Sequence, residues 1–199
     1  MLKIGITGGI GSGKTIVCKV FETLGIPVFY ADVVAKEIMV KDPLLVKQLI
    51  ETFGVESYFK EGLLNNKHIA QIVFNNPAEL AKLNSLVHPA VFRAFDNWLL
   101  TIGSDVPYVL KEAALLFESG SYKMCDQNVL VIAPKELKLK RVVERDKVTE
   151  EQVLARMDKQ LSDEEKSQFT DLVILNDETQ SIVKQVFQMH QKFLRVGTV

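Results

Sequence analysis

The residues best suited to chemistry stand together near the start of the sequence: Gly8-Gly9-Ile10-Gly11-Ser12-Gly13-Lys14-Thr15. They fit G-x-x-x-x-G-K-[ST], the pattern of a loop that cradles nucleotide phosphates. Glycines let the chain curl until successive backbone N–H groups converge on one anion. Gly9, Ile10, Gly11, Ser12 and Gly13 would line that curl. Lys14 adds a mobile charge for the β- and γ-phosphates, and the Thr15 hydroxyl can ligate a Mg²⁺ that bridges them. Asp32 is a candidate general base, able to orient an attacking hydroxyl or accept its proton; on position alone it could equally cap a helix starting at Val33. Glu112 could hold Mg²⁺ directly or through water, or simply be a solvated charge at a strand end. Lys138, Arg141 and Arg145 fall at i, i+3 and i+7, so one helix face carries three cations. Such a face can stabilise a transferred phosphoryl group, though solvated charged faces are also common.

These groups need elements to aim them. Leu2, Ile4 and Ile6 alternate with Lys3 and Gly5 as a strand would. Val17, Val20, Phe21 and Leu24 mark one face of a helix that Gly25 would end. Residues 26–32 read as a second strand, parallel to the first, with Asp32 at its C-terminal end, the edge where open α/β sheets bind ligands. Residues 107–110, 127–132 and 172–175 supply three more strands. The expected architecture is a three-layer α/β/α fold around a five-stranded parallel sheet, closed by an amphipathic helix over 179–195.

Two further regions interrupt that core. Residues 33–103 read as helical, with Asp42-Pro43 and Asn76-Pro77 as cap-plus-proline starts and His88-Pro89 as an interruption. We expect this block to bind the substrate, the plain alternative being helices with no direct role. Residues 135–169 carry two capping boxes, Thr149-x-x-Gln152 and Ser162-x-x-Glu165, and are expected to form a short helical lid that excludes water. The core is then 1–32, 104–134 and 170–199.

Composition narrows the function. The 199 residues carry a net charge of −1, so no basic footprint for nucleic acid or an anionic membrane is present. No apolar run approaches the roughly 20 residues of a membrane span, and no signal peptide is visible, so a cytoplasmic protein is expected. Cys18 and Cys125 are far apart and read as small buried thiols. No N-K-x-D guanine motif occurs, which disfavours a GTPase. A small-molecule kinase, which must shield ATP from water, fits best.

Six blocks in order sharpen this reading: Ile6–Thr15, Ala31–Lys36, Leu86-Val87-His88-Pro89-Ala90-Val91, Leu115-Leu116-Phe117-Glu118, Arg141 to Gln160, and Asp171-x-Val173-Ile174-x-Asn176. Together they resemble the dephospho-CoA kinase family, within the P-loop kinases, over nearly the whole chain. The resemblance implies ATP-dependent phosphorylation of the ribose 3′-hydroxyl of dephospho-CoA to give coenzyme A and ADP. It implies Asp32, Lys14 and Arg141 in catalysis and Thr15 on Mg²⁺, with help through water from Asp32 or Glu112. The phosphate loop, Arg141, Arg145 and Asn176 would bind ATP; Asp32, His88, Glu112 and Leu116 would bind the acceptor. A monomer or weak homo-oligomer is expected. The chain departs from the family pattern at Tyr30, Lys36, Asn66, Lys111 and Lys138. Two alternatives remain at this level: a kinase for another nucleoside or nucleotide, and an ATP-binding regulator without transfer activity.

Overall fold

A computed structural model describes residues 1–74 and 76–196. In chain order the elements are β1 (Leu2–Thr7), α1 (Lys14–Thr23), β2 (Val28–Tyr30), α2 (Ala31–Lys41), α3 (Pro43–Phe53), α4 (Asn66–Val73), α5 (Pro77–Leu99), β3 (Tyr108–Glu112), β4 (Gln127–Ile132), α6 (Lys135–Asp146), α7 (Glu150–Met157), α8 (Asp163–Ser167), β5 (Leu172–Leu175) and α9 (Ile182–Val196). They divide into two compact units, residues 31–101 and the remainder.

The larger unit holds one five-stranded parallel sheet in the order β2-β3-β1-β4-β5. Its inner strands β3 and β4 are largely buried and mostly apolar, as parallel strands covered by helices on both faces are. Ile4, Ile6, Leu110, Val129, Val131 and Ile174 meet Val17, Cys18 and Phe21 of α1 and Val186 and Phe193 of α9 in one core. Gly5 matters on the opposite face. A Cβ there would stand 2.5 Å from Asn128 Oδ1 and 2.8 Å from Leu116 Cδ2, so only glycine lets β1 lie flush between its neighbours.

Expected and observed strands coincide at β4 and β5. Strand β3 covers Tyr108–Glu112 where 107–110 was expected, and three further segments differ. Asp32 lies in the first turn of α2, not at a strand end, because β2 stops at Tyr30 and the helix starts at Ala31. Helix α9 begins three residues later than expected. Asp177 Oδ1 accepts hydrogen bonds from the Thr179 N–H (3.0 Å) and hydroxyl (2.8 Å), and Glu178 has φ 69°; together they form a turn that delays the helix. Finally, α5 runs unbroken through Pro89. A proline inside a helix costs about 3 kcal/mol. Val87, Val91 and Phe95 are buried on one face of α5, and each contributes about 1.5–3 kcal/mol. Packing therefore outweighs the lost bond.

Within the smaller unit, Asp42 caps α3 by accepting from the N–H groups of Leu44 (2.9 Å) and Leu45 (3.2 Å), and pairs with Arg93 of α5 at 3.2 Å. Leu45, Leu49 and Phe53 of α3 and Ile69 of α4 are buried. Among the described residues no helix is long and apolar enough to cross a membrane.

Candidate functional site

The phosphate loop joins β1 to α1, and Lys14 folds back across it. Its Nζ donates to the carbonyls of Gly8 (2.8 Å) and Gly9 (3.3 Å), which parks the ammonium over the loop mouth. Gly13 takes φ 94°, in the left-handed region, and a Cβ on it would collide with Asn176 Nδ2. Gly11, at φ 79°, has no room for a side chain either: its Cβ would stand 2.5 Å from the Lys138 carbonyl oxygen of α6. The pattern's glycines thus serve curvature and close approach at once. The first turn of α1 contains no acidic residue, so nothing on the helix competes for its positive end.

The far end of the chain secures the loop. Asn176, just past β5, donates from its backbone to Ile132 O (2.8 Å) and from Nδ2 to Ser12 O (2.7 Å). Its own carbonyl accepts from both terminal nitrogens of Arg141, each at 3.3 Å, and Arg141 also pairs with Glu178 at 3.0 Å. Loop, Arg141 and Asn176 therefore form one connected set. Arg145 lies apart from it. Asp146 takes Arg145 at 2.7 Å and Arg156 at 3.0 Å, and hydrogen bonds from Arg145 hold the Asp146 carboxyl below its usual range.

Glu112 ends β3 in register with Ile6 and Tyr30 and is 6% exposed. Burial, reinforced by Glu112, pushes the Cys18 thiol far up, so Cys18 is an inert packing residue. Burial likewise raises Tyr30. Beside the loop the Thr15 hydroxyl is exposed, and Mg²⁺ takes few protein ligands alongside phosphate oxygens and water. No group of three or more His, Cys, Asp or Glu able to hold a metal ion occurs among the described residues.

Leu116 is fully buried behind Gly5 and presents no surface to a ligand. In the smaller unit, Asp32, Lys36 and Asn66 are exposed and His88 is half-buried. The His88 ring stacks on Phe92 at 6.5 Å, and burial lowers its pKa. Lys111 is fully buried, with Nζ 3.3 Å from Met124 Sδ.

Several contacts of the lid escaped sequence reasoning. Gln160 Oε1 accepts the Ile10 N–H at 2.9 Å. Lys138 pairs with Asp163 at 2.7 Å. Glu118 Oε1 accepts the Leu161 N–H at 3.0 Å and lies 3.3 Å from the Nζ of buried Lys166, an ion pair by distance without hydrogen-bond alignment. Both capping boxes are present. The box at Ser162 fixes where α8 starts and was the one signal pointing to Asp163. Between lid, α6 and loop lies a cleft of about 310 Å³ bordered by Gly9, Lys135, Lys138, Gln160 and Asp163.

The model of one protein family, described as dephospho-CoA kinase (CoaE), matches residues 2–181. A dephospho-CoA kinase from Chlorobium chlorochromatii is 39% identical over 98% of this chain and 94% of its own length. The crystal structure of TT1252 from Thermus thermophilus superposes with a TM-score of 0.84 at 31% identity, covering 97% of each chain. A dephospho-CoA kinase from Campylobacter jejuni gives a TM-score of 0.71 at 26% identity, covering 98% of each.

Proposed function

The chain belongs to the dephospho-CoA kinase family, and from that premise we propose how its residues divide the reaction. The enzyme phosphorylates dephospho-CoA at the expense of ATP, the final step of coenzyme A biosynthesis. The residue-level reading rests chiefly on one observation: Lys14 and Asn176 both bond to the glycine loop, and Arg141 bonds in turn to Asn176.

In this reading the loop amides and the N-terminus of α1 receive the β- and γ-phosphates. Lys14 bridges them, and Arg141, one turn from the loop contact of α6, offsets charge on the phosphoryl group in flight. Arg145 joins when it exchanges Asp146 for phosphate. Asn176 borders the nucleotide. Asp32 orients the ribose 3′-hydroxyl and accepts its proton as that oxygen bonds to the γ-phosphorus. The bond from the γ-phosphorus to the β,γ-bridging oxygen breaks, and ADP leaves. Asp32 is supported by its exposed carboxylate two residues beyond β2. Mg²⁺, when bound, would supply neutralising positive charge to the phosphates. Thr15 would hold it, with Glu112 or Asp32 helping through water. His88 belongs to the acceptor side, and Leu116 contributes only by supporting β1. ATP as the donor supports work in the cytoplasm; the assembly proposed is a monomer or weak homo-oligomer, which light scattering at micromolar concentration tests.

The deciding experiment supplies purified protein and Mg-ATP with dephospho-CoA, adenosine or a nucleoside monophosphate and measures ADP. Dephospho-CoA should give by far the fastest turnover. Equal rates across the panel would overturn the acceptor assignment.

A further inference from the structure

The backbone of Lys138 is locked onto the phosphate loop, since a Cβ on Gly11 would lie 2.5 Å from its carbonyl oxygen and 3.0 Å from its Cα. Only its side chain has a choice of partner. That side chain runs toward Gly9, whose missing Cβ would stand 3.4 Å from Lys138 Nζ and 3.6 Å from Asp163 Oδ1. Lys14 Nζ, the ammonium that meets the terminal phosphates, is 3.3 Å from the carbonyl oxygen of the same Gly9. Two ammonium groups therefore flank one residue of the loop. The second is occupied by a carboxylate 2.7 Å away, and both members of that pair are largely screened from water, with side-chain exposures of 13% and 23%.

We propose that Lys138 is a further phosphate-binding side chain and that Asp163 is its built-in competitor. A carboxylate and a terminal phosphate offer the same chemistry to an ammonium, namely anionic oxygens at short range. The four-carbon stem of lysine lets the charge swing from one to the other while the helix stays put. Binding ATP then requires Lys138 to exchange Asp163 for the γ-phosphate, and the strength of the ion pair sets part of the affinity. Asp163 is the first residue of α8, so the exchange also releases one of the contacts that hold the lid. The others, Gln160 to Ile10 and Glu118 to Leu161 and Lys166, do not involve Asp163, so its replacement should leave the lid folded. This inference rests on the reading of the loop as a triphosphate site.

The test measures dissociation constants of the full chain for ATP and for AMP by titration calorimetry, with thermal midpoints as a folding control. Asp163→Asn should bind ATP roughly three- to tenfold more tightly than wild type, because the competitor is gone. Lys138→Gln should bind it most weakly, since Asp163 then faces the phosphate unpartnered. The double variant should fall between Lys138→Gln and wild type. AMP, which lacks the terminal phosphate, should bind equally to all four proteins. Asp163→Asn binding ATP no tighter, or AMP following the same order, would overturn the proposal in favour of a purely structural pair. If Asp163→Asn does not fold, Lys138→Gln decides alone through its ATP-to-AMP ratio. A Lys14→Ala control separates the two levels: unchanged ATP affinity there would sink the triphosphate site itself.

Discussion

The phosphate loop and the helical unit of residues 31–101 hold their polar groups in opposite ways. Around the loop, Ser12, Lys14, Glu112 and Asn176 are at most 9% exposed, and backbone carbonyls at both ends of the loop take bonds from fixed side chains. In the helical unit the polar residues proposed for the acceptor are exposed or half-buried, and the ion pairs are surface pairs such as Lys41–Glu37. Surface pairs of that kind contribute about 0–1 kcal/mol. The donor apparatus is thus built into the packing, while the acceptor apparatus is carried on a packed scaffold without being part of it. Damage to the first should cost stability and ATP binding together; damage to the second should cost turnover alone.

Asp32→Asn tests the second half and should have the largest effect. Turnover should fall about 10²–10⁴-fold, as expected when a positioned base is lost, while the ATP dissociation constant and the thermal midpoint stay unchanged. A midpoint that fell in step with activity would break the comparison. Gly13→Ala tests the first half. A side chain in left-handed backbone costs about 1–2 kcal/mol, and here it would also drive into Asn176. Thermal unfolding and ATP titration should therefore worsen together. Asn176→Ala should act in the same direction with a loss of about 1–3 kcal/mol, because the Ser12 carbonyl is left without its partner.

The smallest effect concerns pH. Burial keeps the His88 imidazole neutral in the folded protein, below its ordinary pKa. The unfolded chain therefore binds the extra proton first. This contribution to stability is complete above about pH 6.5 and is lost as pH falls from there toward the folded value. Thermal midpoints measured from pH 7.5 to 5.5 should decline less steeply in His88→Gln than in wild type.

What could be read in advance followed from range. Strands β4 and β5 and both capping boxes are written in residues next to one another, and they are found where periodicity and cap chemistry put them. The loop was legible because its glycines and lysine answer to one local geometry. Continuity of α5 through Pro89 was not, because the outcome depends on what the Val87, Val91 and Phe95 face packs against. Burial of Lys111 was equally hidden, since nothing beside it in sequence announces Met124 as a neighbour. The Ile10–Gln160 bond joins residues 150 apart and left no trace in any local pattern.

The Asn176–Ser12 bond carries a consequence for how the protein is made. The two residues are 164 positions apart, and the stretch at the front is synthesised first. At about 5–20 residues per second, translation leaves the front segment without its clasp for roughly ten seconds or more. Nascent chains stalled before β5 emerges should therefore bind no nucleotide, and the ability to do so should arrive abruptly once β5 and Asn176 are out.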